Sequence, residues 1–216
     1  MNIFVIGANG QIGRHLIEKL ANTEHTVAAG VRDVASQSLV KAENVQYKSF
    51  DLSWSVEQMA DAFEGIDVLL FTAGSQGKNL LQVDLDGAIK TMIAAEKASV
   101  TRYIMISAVW AEEREKWPES MTDYYITKHY ADEWLKNQTN LDYVIIQPVA
   151  LTNEAEEMIQ LTEPGKTAGK TISRSSVAEV LAEIIDFPKI SRTTLVLSNG
   201  ENQVKEALSH IEEAAK

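Results

Sequence analysis

The sequence predicts an α/β fold in which helices cover both faces of a doubly wound parallel sheet. Two observations carry this prediction. Six short apolar runs are typical of strands buried on both faces, and helical patterns alternate with them. The length of 216 residues, of which 45% are hydrophobic and 24% charged, suits one domain with a substantial core.

The predicted elements alternate from the first residues. Asn2–Ile6 is a continuous apolar run that Gly7 ends, and residues 11–21 repeat apolar side chains at helical spacing. Further strands are predicted at residues 26–31, 45–50, 67–71, 102–106 and 141–146. Further helices are predicted at residues 56–63 (with Ser55 as a good N-cap), 79–98 and 120–137.

The pattern loosens after Pro148. Residues 151–170 are polar and contain Pro164-Gly165, so we expect a surface excursion there. A helix at 175–187, a strand at 193–197 and a helix at 201–215 complete the chain. We therefore predict a single domain over residues 1–216, with a cofactor-binding core at 1–148 and a substrate-side extension at 149–216.

The composition excludes several classes of partner and of catalytic group. Twenty Lys and Arg against 31 Asp and Glu give a net charge of −11, which disfavours nucleic acid as a partner. The chain has no cysteine, and its four histidines are far apart, so we expect neither thiol chemistry nor a metal site. The apolar runs are too short to span a bilayer and no secretory signal precedes the first strand, so we expect a cytoplasmic protein without a membrane partner. The sequence carries no signal for an oligomeric state.

The segment Gly7-Ala8-Asn9-Gly10-Gln11-Ile12-Gly13 joins the first strand to the first helix. Its first glycine permits a tight turn, the second lets backbone approach a pyrophosphate, and the third lets the helix pack close to the strand. The helix N-terminus adds free N–H groups and a positive dipole. The turn therefore predicts a dinucleotide site, with a plain glycine-rich turn as the alternative.

The residues after the second strand bear on which dinucleotide binds. An acid at this point binds the ribose hydroxyls of NAD, whereas an arginine accepts the 2′-phosphate of NADP. Arg32 is the first residue past the predicted strand, and Asp33 follows it. We interpret Arg32 as the phosphate ligand and predict NADP, with NAD still possible and a solvated loop charge as the alternative for both residues.

Tyr124 and Lys128 form a Y-x-x-x-K pattern on a predicted helix, where positions four apart share a face. A phenol is a poor acid–base group at neutral pH, and we expect the ammonium to lower the pKa of Tyr124. For this pattern alone, the alternative is a surface lysine extending from a helix edge.

Together with Ser107, just past the fifth strand, these features resemble the short-chain dehydrogenase/reductase superfamily. The chain looks most similar to its small, atypical NAD(P)-binding members, which are epimerase/dehydratase-like or NmrA-like. The resemblance covers residues 1–148 and more loosely the rest, and it implies a Rossmann-like fold. It also implies that Tyr124 is the general acid/base, that Lys128 binds the nicotinamide ribose and tunes the tyrosine, and that Ser107 orients the substrate oxygen.

The resemblance implies further cofactor contacts and one departure. Asp51 and Leu52 match the position that contacts adenine, Thr72-Ala73-Gly74 match a turn beside the ribose, and Pro148 matches the residue that flanks the nicotinamide. Asp84 stands where the family has an asparagine that supports a proton-relay water, and an ionised carboxylate cannot donate the amide hydrogen bond.

The segments that leave the carboxyl ends of the strands should form the substrate side. Residues 108–119 carry Trp110, Arg114 and Trp117, which either line a pocket or pack the loop. Arg174 precedes a predicted helix and could face the site, while Ser175 could be that helix's N-cap. The short loops disfavour a sugar-nucleotide substrate.

The sequence therefore predicts an NAD(P)-dependent oxidoreductase, NADP(H)-preferring, that acts on a small carbonyl or alcohol. Two alternatives remain open. One is a non-catalytic NADP(H)-binding redox sensor, and the other is an NAD-dependent epimerase or dehydratase.

Overall fold

The computed structural model describes residues 1–214 and contains ten strands in that part of the chain. Their bounds are β1 (Asn2–Ile6), β2 (Thr26–Val31), β3 (Val45–Ser49), β4 (Val68–Phe71), β5 (Arg102–Ile106), β6 (Asp142–Pro148), β7 (Ala150–Thr152), β8 (Ile159–Thr162), β9 (Thr171–Ser173) and β10 (Thr193–Asn199). Eight of them form one sheet in the order β3-β2-β1-β4-β5-β6-β10-β8, while β7 and β9 pair with each other. Every pairing in the large sheet is parallel except that of β8 with β10. The predicted α/β fold is confirmed.

Seven α-helices surround the sheet within residues 1–214. They are α1 (Gln11–Leu20), α2 (Val34–Gln37), α3 (Val56–Ala62), α4 (Asp86–Lys97), α5 (Thr122–Gln138), α6 (Arg174–Glu183) and α7 (Val204–Ala214). Alternate residues of β1 point to opposite faces, so Val5 packs in the core beneath α1 and α6 while Phe4 packs in the core beneath α3, α4 and α5. Helices on both faces explain why the strands are continuously apolar.

The predicted surface excursion at residues 151–170 is wrong in its middle. Ile159 and Leu161 on β8 are 0% and 5% exposed, and this strand closes one edge of the large sheet. Burial alternates along β8, so only two of its four residues are apolar core positions, and the polar residues around them hid the strand.

The helix predicted at residues 79–98 differs from the structure at its beginning. Leu80–Leu85 is π-helical, and the regular helix α4 begins only at Asp86. A single π-helical turn next to an α-helix changes the spacing of apolar residues very little. The apolar pattern therefore could not show where the π-helical turn ends and α4 begins.

Two predicted N-caps have opposite outcomes. Ser55 is confirmed, because its side chain accepts from Gln58 N–H in a reciprocal capping box. The prediction of Ser175 as an N-cap is wrong, because the N-cap of α6 is Ser173, whose side-chain oxygen accepts from Ser176 N–H at 3.0 Å.

The short helix α2 was not predicted. Residue 215, the end of the predicted last helix, lies outside the described residues.

Among the helices described in residues 1–214, none is both long enough and apolar enough to cross a bilayer.

Candidate functional site

A cleft of about 1240 Å³ lies at the carboxyl ends of the parallel strands. Its lining includes every predicted site residue except Gly13, namely Gly7, Asn9, Gly10, Gln11, Ile12, Arg32, Asp51, Leu52, Thr72, Ala73, Gly74, Ser107, Tyr124, Lys128 and Pro148. One end lies beside β2 and β3, and the other is bounded by α5 and the small β7–β9 sheet. Ligands of open α/β sheets bind at this edge.

The glycine turn brings backbone to the cleft without side chains in the way. Gly7 has a φ of +84°, and a Cβ there would lie 2.7 Å from the backbone of Ala73. A Cβ at Gly13 would lie 2.2 Å from the Gly7 carbonyl oxygen, so Gly13 permits close packing of α1 without lining the cleft itself. Gly10 caps α1 without a side-chain hydrogen bond, which leaves the first-turn N–H groups free to meet an anion.

Arg32 and Asp51 lie together at the β2–β3 end of the cleft. The pKa of Asp51 is lowered, chiefly by a hydrogen bond from the backbone N–H of Ser53 and more weakly by the charge of Arg32. Asp33 does not line the cleft, since its carboxylate accepts from Ala35 N–H and Ser36 Oγ at the start of α2. Arg32 is therefore exposed and available to a ligand, whereas the Asp33 carboxylate is engaged in capping α2.

Lys128 is a buried residue of the site, and the alternative of a surface lysine is wrong. Its side chain is 6% exposed, and its Nζ donates to the Ile106 carbonyl at 3.1 Å. The same Nζ lies 5.8 Å from the centre of the Tyr124 ring. Burial lowers the pKa of Lys128, while the carboxylates of Asp84 and Asp132 oppose that shift.

The expectation of a lowered phenol pKa at Tyr124 is wrong for this structure. Burial raises the pKa of Tyr124 to about 12, and the charges of Asp84 and Asp132 add to the shift. Desolvation and two carboxylates therefore outweigh the nearby ammonium, and Tyr124 is a neutral phenol at pH 7.

Asp132 is a site residue that the sequence analysis missed. It is 2% exposed, and its Oδ2 accepts from Ser107 Oγ at 2.7 Å. Burial raises the pKa of Asp132 to about 6. Gln147 Nε2 lies 3.4 Å from the same oxygen and donates to Glu112 Oε2 at 2.8 Å. The one available signal was its position four residues after Lys128, which puts both on one helix face.

Asp84 reaches the cleft from the π-helical segment. It is buried, and its Oδ2 accepts from the backbone N–H of Ser75 at 3.0 Å. Its charge acts on both Tyr124 and Lys128, so it stands in the site where the resembled family has asparagine. π-helical turns occur frequently at functional sites.

The two tryptophans of the loop after β5 have different roles, since one lines the cleft and the other packs the loop. Trp110 lines the cleft. Trp117 packs the loop, because it stacks on Tyr125 and its Nε1 donates to the Trp110 carbonyl at 2.8 Å. Arg114 lies over Trp117, and Arg174 lines the cleft from the first residue of α6. Within residues 1–214, no cluster of three or more histidines and carboxylates is placed to hold a metal ion.

A doubly wound sheet with a glycine turn at its first crossover and a cleft along its carboxyl edge defines a Rossmann-fold nucleotide-binding protein. The family described as NAD(P)H-binding matches residues 7–188, and the chain belongs to that family.

Relatives extend over the whole chain. An uncharacterized sugar epimerase, YhfK of Bacillus subtilis, is 37% identical over 98% of this chain and 100% of its own length. The UPF0659 protein YMR090W of Saccharomyces cerevisiae is 33% identical over 98% of this chain and 99% of its own. The crystal structure of the oxidoreductase ylbE from Lactococcus lactis superposes with a TM-score of 0.91, at 38% identity, over 99% of this chain and 97% of that one. The chain is therefore similar to oxidoreductases and epimerases of the Rossmann fold.

Proposed function

We propose that the protein is an oxidoreductase that prefers NADP(H) and reduces a small carbonyl compound, or oxidises the corresponding alcohol. The observation that carries the proposal is the placement of Ser107, Tyr124 and Lys128 at one end of a cleft whose other end holds Arg32. The cleft's length and lining suit a dinucleotide plus a small substrate.

The residues of the cleft fit such a cofactor. The glycine turn and the free N–H groups at the start of α1 would hold the pyrophosphate, and Arg32 would hold a 2′-phosphate. Asp51 and Leu52 would contact adenine. Residues 72–74 and Lys128 would contact the riboses, and Pro148 would flank the nicotinamide. When bound, the cofactor supplies or accepts a hydride.

The phenol of Tyr124 supplies the proton. With its pKa raised to about 12, Tyr124 is protonated at pH 7 and can donate to a carbonyl oxygen that gains negative charge. The phenolate left behind would be stabilised by the Lys128 ammonium, whose Nζ is 5.8 Å from the ring centre. This state of the free protein favours the direction of carbonyl reduction.

Asp132 controls the hydroxyl of Ser107. Because Ser107 Oγ donates to Asp132 at 2.7 Å, its lone pairs remain to accept a hydrogen bond from Tyr124 or from a substrate hydroxyl. Ser107 would then orient the reacting oxygen by accepting from it after the proton has moved.

Substitution of Tyr124 by phenylalanine tests the proposal. Tyr124→Phe should lower turnover by about 10²–10⁴-fold because the proton donor is lost, and leave NADP binding nearly unchanged. NADPH oxidation is measured on a panel of small aldehydes, ketones and quinones, and cofactor affinity by tryptophan fluorescence. Tyr130→Phe, on an exposed residue of the same helix, is the control. Equal activity in Tyr124→Phe and the unaltered protein would remove Tyr124 from the mechanism.

Epimerase chemistry is the second candidate, and the Bacillus subtilis relative described as a sugar epimerase favours it. The same residues would then act with a cofactor that is not consumed, so substrate would change configuration without net loss of NADPH. A protein that binds NADPH tightly but neither oxidises it with any compound of the panel nor epimerises a sugar substrate would instead be a redox sensor.

A further inference from the structure

The cleft is positively charged although the chain is acidic. Six cationic side chains line it, but only two acidic ones, against a net charge of −11 for the chain. The cations are Arg32, Lys78, Lys116, Lys128, Lys170 and Arg174. The two acids are Asp51 and Asp84. A local excess of one charge in a cleft raises the concentration of ligands of the opposite charge.

Besides Lys128 on α5, three of the cations lie away from the glycine turn, on other elements that bound the far end of the cleft. Lys116 belongs to the loop between β5 and α5, and Lys170 and Arg174 flank β9. We call these three residues the cationic rim. β9 pairs with β7, in the register Ala150 to Thr171, and β7 begins two residues after Pro148. The small sheet therefore brings Lys170 and Arg174 to the carboxyl end of β6.

The charges of the cationic rim are only weakly compensated. Arg174 donates to the neutral amide oxygen of Asn153 at 2.7 Å. Lys116 lies over the Trp110 ring, at 4.1 Å from its centre, and its Nζ is 3.9 Å from Glu113. In the described part of the chain, Lys170 forms neither an ion pair nor a side-chain hydrogen bond. The rim thus offers donors to a ligand.

We propose that the cationic rim binds an oxyanion, a carboxylate or a phosphate, carried by the substrate itself. The inference rests on the proposed function and names the class of its substrate: a small carbonyl compound or alcohol that bears an acidic group. The cofactor's own phosphates would lie at the opposite end, at α1 and Arg32. Guanidinium and ammonium groups form strong, charge-assisted hydrogen bonds with carboxylate and phosphate oxygens.

Apolar residues of the cleft suit the rest of such a substrate. Trp110, Pro118, Met121 and Tyr125 line the cleft from the stretch of chain that also carries Lys116 and Tyr124, and they offer apolar area. A substrate with an apolar body would pack against them while its acidic group meets the rim and its oxygen meets Tyr124.

Benzoate and benzamide test the inference, because they share a shape and differ in charge. Binding of each is measured by ligand-observed NMR, with and without NADP. Benzoate should bind at least about 10-fold more tightly than benzamide, as expected for one or two hydrogen bonds between charged groups. The double variant Lys170→Gln/Arg174→Gln should bring this ratio close to one. Phenyl phosphate in the same assay separates a preference for phosphate from one for carboxylate.

Two variants complete the design. Lys166→Gln alters an exposed lysine that pairs with Glu163 outside the cleft, so it should leave the ratio unchanged. Thermal melting shows whether the double variant is folded, and the single variant Lys170→Gln, at an exposed residue, should show part of the same loss.

Two results would overturn the inference. One is equal affinity of benzoate and benzamide for the unaltered protein. The other is a ratio that survives in the double variant but is lost in Arg32→Ala, which would put the anion at the cofactor's phosphate site. Neither readout needs turnover, so the failure of hydride transfer in the Tyr124→Phe experiment would be seen separately.

Discussion

The two ends of the cleft differ in whether backbone or side chains form most of their surface. The proposed cofactor end is mainly backbone: Gly7 meets Ala73, and α1 packs on the turn through Gly13, with spacings that leave no room for a Cβ. The proposed substrate end includes many side chains on short elements, namely β7, β9 and the loop between β5 and α5. Backbone geometry restricts sequence strongly, whereas exposed side chains restrict it little. The glycine turn therefore leaves a motif in the sequence, whereas the β7–β9 sheet and the loop between β5 and α5 do not.

Substitution of Gly13 should produce the largest effect, because it attacks the backbone packing directly. A Cβ at this position would lie 2.2 Å from the Gly7 carbonyl oxygen, so in Gly13→Ala the helix α1 must move away from the turn. We expect a loss of about 3 kcal/mol or more in the free energy of unfolding, since backbone cannot yield as a flexible side chain does. NADP affinity should fall with it, because the N–H groups of α1 shift. Urea unfolding and cofactor titration measure the two losses.

Gly65→Ala is the matched comparison for Gly13. Gly65 has a φ of +74°, but nothing lies within 4 Å of its Cβ position. This variant should lose only about 1–2 kcal/mol, through backbone strain, and keep full NADP affinity. If both variants bound NADP as the unaltered protein does, the contrast between the two ends of the cleft would fail.

Asp132, the buried partner of Ser107, should give a pH-dependent effect of up to about 3 kcal/mol on the free energy of unfolding. Its pKa is raised to about 6 in the folded protein, from an ordinary value of 3.8. Between these values the unfolded chain releases a proton that the folded protein keeps, so Asp132 lowers stability as the pH rises through this window. Asp132→Asn removes the titration while its amide oxygen can still accept from Ser107.

The measurement for Asp132→Asn is urea unfolding at pH 4 and pH 8. The variant should gain stability relative to the unaltered protein between the first pH and the second. Asp123→Asn, on the exposed first turn of the same helix, should show no such gain. A stability difference that is the same at both pH values would contradict a raised pKa at Asp132.

Arg32→Ala should have the smallest effect of the three and acts on cofactor choice alone. Loss of a charge-assisted contact with a 2′-phosphate should weaken NADP binding by about 2 kcal/mol, roughly 30-fold, and leave NAD binding nearly unchanged. Lys48→Ala, an exposed cation on the neighbouring strand β3 outside the cleft, is the control in the same titration. An unchanged ratio of the two affinities would show that Arg32 does not select the phosphate.

The sequence predicted most of the fold because the parallel strands are buried on both faces and leave continuous apolar runs. The strand β8 was not predicted, because it is an edge strand with only two core residues, Ile159 and Leu161. Edge position and antiparallel pairing depend on β10, far along the chain, and no local pattern records them.

In the candidate site too, the sequence predicted the residues that belong to a local motif and missed one that depends on contacts between elements. The glycine turn and the pair Tyr124 and Lys128 were proposed from spacing within one element, and Ser107 from the family resemblance that these motifs carry. Asp132 could not be proposed in this way, since an aspartate on a helix is ordinarily exposed, and its burial depends on contact with Ser107 from a different element. The pKa of Tyr124 was misjudged for a related reason: it is raised chiefly by burial among other elements of the fold, and also by the charges of Asp84 and Asp132.

The small β7–β9 sheet has an evolutionary consequence. Within the described residues, these two strands pair only with each other, so their backbone hydrogen bonds are independent of the eight-stranded sheet. This part of the chain, namely β7, β9 and the turns next to them but not β8, can therefore accept substitutions and insertions that reshape the proposed substrate wall while the glycine turn is unchanged. A lineage with this architecture can diversify its substrates without re-evolving its cofactor, and directed evolution of specificity should begin in this segment.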